Sequence, residues 1–282
     1  MRGMPTRSLR AAAALAVLAA GPAWAEGPVR ALSNTLGVQA NPIGLEDHLT
    51  LQWTWDLSDS PNPFLADAHF AAGVSNHFSP AYDRLELWVE LSPLSVLDLR
   101  AGVEPLVYFG SFGHIVAFPS YDAPFGKEAL EAVKDQAVSA TGVRYHFTPT
   151  FKIKLGRVVA RTAATFEWWR VDASGPFFYE PWRDTLLNAD GDSLLGLSSQ
   201  LLYEFPRSGG KKILAGAYHE LVDVHDAPQN RRQRLGPLVL WTLGAKTLGV
   251  REPTIIGTVY SYVEDPNRDG ELGGFLAFSF GF

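Results

Sequence analysis

The chain of 282 residues has no cysteine and only two methionines. Without thiols there is no disulfide framework, no thiol chemistry and no lipid-anchored cysteine after an export signal. Beyond Ala25 no run of about 18 uncharged apolar residues occurs, which excludes a membrane-spanning helix from that part of the chain. Excess positive charge is also missing. The net charge is −6, and setting aside Arg2, Arg7 and Arg10 at the start leaves −9, which argues against a nucleic-acid partner. What the chain has is aromatic residues, 8 Trp, 9 Tyr and 17 Phe, enough to furnish interfacial girdles around a membrane barrel, within a hydrophobic fraction of 46% that any soluble domain could share.

The first 25 residues read as an export signal. Arg2, Arg7 and Arg10 form a positive n-region, residues 11–20 an apolar h-region, and Ala23-Trp24-Ala25 an A-x-A cleavage site, so the mature chain is expected to begin at Glu26. The remaining 257 residues, 26–282, are expected to form one domain.

The last nine residues, Gly274-Phe275-Leu276-Ala277-Phe278-Ser279-Phe280-Gly281-Phe282, alternate large apolar with small side chains. Leu276, Phe278, Phe280 and Phe282 therefore share one strand face, the period-two pattern of a lipid-facing segment. This ending resembles the carboxyl-terminal assembly signal of Gram-negative outer-membrane proteins, with Ala277 where glycine often stands. The resemblance implies an outer-membrane, all-β, antiparallel up-and-down barrel, inserted by the outer-membrane assembly machinery through Phe278, Phe280 and Phe282. It also implies contact with outer-membrane lipid and lipopolysaccharide, and a monomer. It names no specific family.

Period-two alternation over about ten residues between turn signals marks twelve expected strands, at 32–40, 48–57, 68–78, 84–92, 97–109, 139–148, 151–171, 193–205, 213–224, 234–247, 254–263 and 273–282. Counted back from Phe282, the periplasmic turns fall at 248–253, 206–212, Pro149-Thr150 and 93–96, and the longer segments 110–138, 172–192, 226–233 and 264–272 fall outside. A ten-strand barrel, with 26–47 as an extension or plug, is the alternative. Within the longest loop, residues 127–137 carry Leu130, Val133 and Ala137 on one helical stripe. Such a helix can constrict the mouth or cover loop residues such as Phe125.

Alternation also sorts the lumen. His48, Thr50, Gln52, Thr54 and Asp56 face inward, as do His69, His77, Arg84, Glu86, Trp88, Glu90, Asp98, Arg100 and Glu104. Arg144, His146, Lys152 and Lys154 follow, then Arg157 and Arg161 after a slip that a bulge near Gly156 would produce. An acidic stripe (Glu86, Glu90, Asp98, Glu104) is thus expected to face a basic one across the lumen. In a filled barrel the stripes pair as a salt-bridged core, whereas in an open one they impose a transverse field on a water-filled channel.

Three short motifs carry possible chemistry. Asp265, Asn267 and Asp269 before Gly270 have the spacing that opens a calcium loop, but position twelve is Leu276, so any calcium site would be weak; otherwise no cofactor is expected. His77-Phe78-Ser79 resembles the His-x-Ser pair of outer-membrane lipid hydrolases. Asp223-Val224-His225 resembles half of the omptin protease site, with Asp190 and Asp192 the available partners. Arg231, Arg232 and Arg234 could hold a phosphate or anionic head group. The reading reached is a narrow pore or binding scaffold for small polar or anionic solutes, with a hydrolase or a partner-binding structural barrel as the alternatives.

Overall fold

The computed structural model describes residues 27–111, 115–208, 211–247 and 249–282. The export signal and its cleavage site lie outside them. In chain order the strands are β1 (Val29–Ala40), β2 (Gly44–Asp56), β3 (His69–Phe78), β4 (Tyr82–Leu94), β5 (Leu97–Phe109), β6 (Ala117–Phe118), β7 (Ser139–Leu155) and β8 (Val158–Val171). They continue with β9 (Phe177–Glu180), β10 (Thr185–Asn188), β11 (Asp192–Pro206), β12 (Lys212–Val224), β13 (Ala227–Thr242), β14 (Lys246–Thr247), β15 (Val250–Glu264) and β16 (Leu272–Gly281). Among the described residues one helix, α1 (Lys127–Val133), runs into a 3-10 turn at Lys134–Gln136.

Twelve of these strands form a closed antiparallel barrel in the order β13-β12-β11-β8-β7-β5-β4-β3-β2-β1-β16-β15, with β15 returning to β13. Closure is made where Leu36 meets Phe278 and Val38 meets Leu276. Each of the twelve wall strands is paired on both sides, so the wall has no free edge, as a hydrocarbon environment demands. The outward face is apolar and exposed: Leu51, Leu87, Phe147, Phe151, Trp168, Leu201, Val239, Trp241 and Leu276 all stand on it. So continuous a belt far exceeds the apolar patch a water-soluble monomer tolerates. Phe278, Phe280 and Phe282 form a ladder with ring centroids 5.4 and 5.3 Å apart.

The two ends differ. One, the loop end, carries 110–138, 172–191 and 265–271; the other, the turn end, carries short connections at 95–96, 156–157 and 207–211, besides 57–68 and 243–249. The twelve-strand expectation agrees with this barrel. The ten-strand alternative does not, because Val29–Ala40 is a wall strand paired on both sides.

Other boundaries need correction. Pro149-Thr150 is not a turn: β7 runs through it, and the β7–β8 ladder lacks its rungs at 148 and 149 while keeping the same register on either side. The sequence misleads here because a proline reads as a break, yet its missing N–H removes only one side of a ladder. The hairpin turn lies instead at Gly156-Arg157, where Gly156 has a φ of 60°, a left-handed conformation glycine adopts freely. No bulge is needed there. The expected loop at 226–233 is also mostly strand, leaving a two-residue connection at His225-Asp226.

Candidate functional site

The loop 172–191 does not stay outside. Its segment Phe177–Asn188 folds as the hairpin β9–β10, which pairs with β6 from the longest loop as a three-stranded sheet. The aromatic and aliphatic flanks of the hairpin, Phe178, Tyr179, Leu186 and Leu187, are fully buried. Phe178 and Leu187 pack with wall residues Tyr108, Trp169, Leu194 and Val222, so the upper lumen is a hydrophobic core. The helix α1 takes the covering role: Leu130, Val133 and Ala137 pack on a second cluster containing Phe125, Tyr179 and Leu186.

The hairpin tip, Glu180 to Thr185, is held by the charges of the wall. The Trp182 ring lies 4.3, 4.7 and 3.8 Å from the guanidinium carbons of Arg84, Arg144 and Arg183. Arg183 reaches across to pair with Glu167 and lies over Gly196, where an added Cβ would stand only 3.2 Å from the guanidinium. Asp184 binds Arg268 (3.1 Å) and Arg232 (3.4 Å), and the Tyr179 hydroxyl donates to it at 2.7 Å. Its backbone φ is 51°, a left-handed conformation that aspartate tolerates and that these partners hold in place. Burial pushes the Asp184 carboxyl up, but Arg232 and Arg268 outweigh it and hold it at about 2. Glu180, which accepts from the Tyr108 hydroxyl at 3.1 Å, is pushed the other way: burial raises it more than Arg84 and nearby backbone N–H groups lower it.

Behind the tip the wall itself is salt-bridged. Glu104 lies between Arg84 and Arg144, and Arg144 also meets Glu167 at 3.1 Å. Glu220 joins Arg232 and Arg234. Beside Arg84, Glu46 accepts from the Tyr82 hydroxyl (2.6 Å) and meets His77 (3.2 Å), while Glu86 meets His146 at 2.8 Å. Charges so far from water hold only because nearly all have an opposite neighbour.

Below this layer the lumen opens. Arg100 pairs with Glu90 (3.1 Å), Lys152 with Asp98 (2.8 Å) and Lys154 with Glu204 (2.6 Å), all partly exposed. The turn-end mouth is an open cavity lined by Thr54, Asp56, Asp59, Asp67 and His69. Glu86, Glu90, Asp98, Arg100, Glu104, Arg144, His146, Lys152, Lys154 and Arg161 all take inward register positions. Arg157 does not. It is exposed in the turn after β7, next to the Tyr203 hydroxyl at 3.4 Å, because the strand ends two residues before it. The two stripes are also not opposed across the lumen, since β5 and β7 are neighbours in the sheet and pair rung by rung.

The motif residues are placed as follows. Asp265 Oδ1 accepts from the backbone N–H groups of Asn267 and Arg268, and Asn267 Oδ1 accepts from those of Phe125 and Gly126, tying two loops together. Asp269 forms no hydrogen bond with either. His77 stacks on His48 with centroids 3.9 Å apart, while the Ser79 hydroxyl accepts from Ala81 N–H; the two do not meet. Asp223 stands on the outward face of β12 and His225 in the turn after it. Arg232 and Arg234 point into the lumen, not to solvent; Arg231 stays exposed near Glu264. The tip residues Glu180, Trp182, Arg183 and Asp184 were missed by the strand reading. Their signal was available: two apolar β-forming pairs flank Pro-Trp-Arg-Asp, a hairpin pattern inside a loop.

No known protein-family model matches this chain, and no curated protein matches it. Solved structures are similar to it at low identity. The NanC porin is similar at 7% identity over 89% of this chain and 98% of its own, with a TM-score of 0.42. The beta domain of the Bordetella autotransporter BrkA gives 11% over 91% and 100%, with 0.48, and Pseudomonas putida OprB 8% over 91% and 94%, with 0.36. These are outer-membrane β-barrel proteins.

Proposed function

We propose that the chain is an outer-membrane barrel, exported by its first 25 residues, with the turn end in the periplasm and the loop end at the cell surface. It provides a narrow path or binding compartment for small polar or anionic solutes. The hairpin β9–β10 is its gate. Short turns on one side and long loops on the other support this orientation, and a closed edge-free wall suits a monomer in contact with lipid and lipopolysaccharide. Phe278, Phe280 and Phe282 supply the ladder that the assembly machinery would recognise.

One observation carries the gate: a hairpin seated by Trp182, Arg183 and Asp184 directly above a lumen where water reaches Arg100 and Lys152. Barrels of about twelve strands lie between filled and porous widths, so a tip of this size suffices to close one. Purified protein in planar bilayers is expected to be silent or to open rarely. Replacing 177–188 with a short glycine linker, or making Asp184→Asn with Arg183→Gln, is expected to give discrete conductance steps. Heat-modifiable mobility on gels establishes that each variant is folded. Folded variants that stay silent would overturn the pore reading.

A further inference from the structure

The compartment beneath the gate has two chemically different walls. On β4, β5, β7 and β8 it presents Glu90, Asp98, Arg100, Lys152 and Arg161. Beyond β11 in the closed order, on β12, β13, β15 and β16, the inward register positions hold Leu214, Leu240, Ile256 and Phe275, with Ala277 and Leu238 beside them and Thr242, Thr254, Thr258 and Ser279 on the same face. The first four are half-buried, so water reaches them inside the barrel. A conduit for polar solutes has a polar interior, and water-wetted leucine, isoleucine and phenylalanine there are an unfavourable surface unless something apolar lies on them.

The charged wall adds a second, independent feature. Arg100, Lys152 and Lys154 are each neutralised by a carboxylate, but Arg161, also inward and half-buried, makes no hydrogen bond or ion pair within the wall. Its guanidinium keeps its donors free of any wall partner, although the carboxylates of Asp98 and Glu90 act on it electrostatically. The uncompensated acids, Asp56, Asp59 and Asp67, sit at the mouth on the β2–β3 side. They repel an anionic head from that side and favour its approach to β8.

We propose that this compartment binds an anionic amphiphile from the periplasmic side. A fatty carboxylate is the fitting chemistry: its head pairs with Arg161, and its tail lies along Leu214, Leu240, Ile256 and Phe275. This rests on the reading of the lumen as a solute compartment and narrows the anionic solute to one with an apolar body. It does not require the gate to move.

The test uses the full-length protein in lipid nanodiscs and a long-chain fatty acid carrying a photoreactive diazirine near its methyl end. Mass-spectrometric mapping is expected to place crosslinks on the inward residues Leu214, Leu240 and Ile256. Arg161→Gln, which breaks no existing ion pair, is expected to lower this labelling roughly tenfold, as loss of one charge-assisted contact predicts. The same chain with an alcohol head is expected to label wild type weakly and to be indifferent to that substitution. Crosslinks confined to the outward Val239, Trp241 and Ile255 would show ordinary annular lipid and overturn the proposal. So would inward labelling that ignores Arg161, or that is stronger for an amine-headed probe. Since labelling needs no conductance, a silent bilayer leaves this inference standing, and failed labelling leaves the gate untouched.

Discussion

In the loop half of the lumen Arg84 and Glu104 are wholly buried, whereas in the turn half Lys152 keeps 39% of its side chain exposed although it too has a carboxylate partner. The same twelve strands supply both layers, with the same inward alternation of charge. What separates them is the hairpin Phe177–Asn188, which displaces water from one layer and leaves the other wet. An ion pair therefore has a different meaning at each height. Above, removing one partner strands a charge in a dry core; below, water replaces the lost partner.

That contrast fixes the size of mutational effects. Glu104→Gln, which leaves Arg84 and Arg144 facing each other without their shared carboxylate, is expected to cost about 3–5 kcal/mol in the unfolding free energy of the micelle-refolded barrel measured by denaturant titration. Asp98→Asn, deleting the partner of Lys152, is expected to cost no more than about 1 kcal/mol in the same measurement. Equal costs would erase the distinction between a dry and a wet layer.

Acid should loosen the gate through Asp184. Its carboxyl is held at about 2 against an ordinary value of 3.8, so the seated hairpin gains stability above pH 3.8 that is lost as pH falls toward 2. The lost amount is about 2 kcal/mol, at about 1.4 kcal/mol per unit. Glu180, raised by burial, is shifted in the opposite sense and does not share this loss on acidification. Conductance is expected to rise over pH 4 to 2 in wild type and to lose this dependence in Asp184→Asn. A flat wild-type profile would remove Asp184 as the latch.

The smallest predicted effect is a cleavage pattern. Trypsin added to intact cells is expected to cut at the exposed Lys127 or Lys134 beside α1 and to spare Arg183, which lies within the lumen. In the Asp184→Asn with Arg183→Lys variant, cleavage at position 183 is expected to appear as the hairpin leaves its seat.

Much of the wall could be read from the sequence because alternation is local. Strand two separates Leu49, Leu51, Trp53 and Trp55 from His48, Thr50, Gln52 and Thr54 within ten residues, and the structure keeps that division. Turn placement was less legible. Pro149 imitates a break, while Gly156-Arg157 is a tight hairpin with no proline to announce it. Which strands face one another around a closed wall is a global property, so the acidic and basic stripes on β5 and β7 were expected to oppose each other when they are neighbours. The apolar inner wall was invisible for a related reason: when both faces of β12, β13 and β15 carry Leu, Ile or Val, period two marks a strand but not its inner side. The gate was missed because loops were weighed by length, and only contacts 80-odd residues away, such as Asp184 with Arg268, reveal that one of them turns inward.

The absence of cysteine permits the most direct test of a lumen shut from outside and open from the periplasm. A single cysteine at Gln200, inward on β11 opposite Arg161, is the reporter. With a membrane-impermeant maleimide, the account predicts negligible labelling when reagent is added to intact cells. It predicts rapid labelling once the periplasmic face is reached, and labelling from both sides when Asp184→Asn is added. Fast labelling of the otherwise wild-type chain from the cell exterior would contradict it.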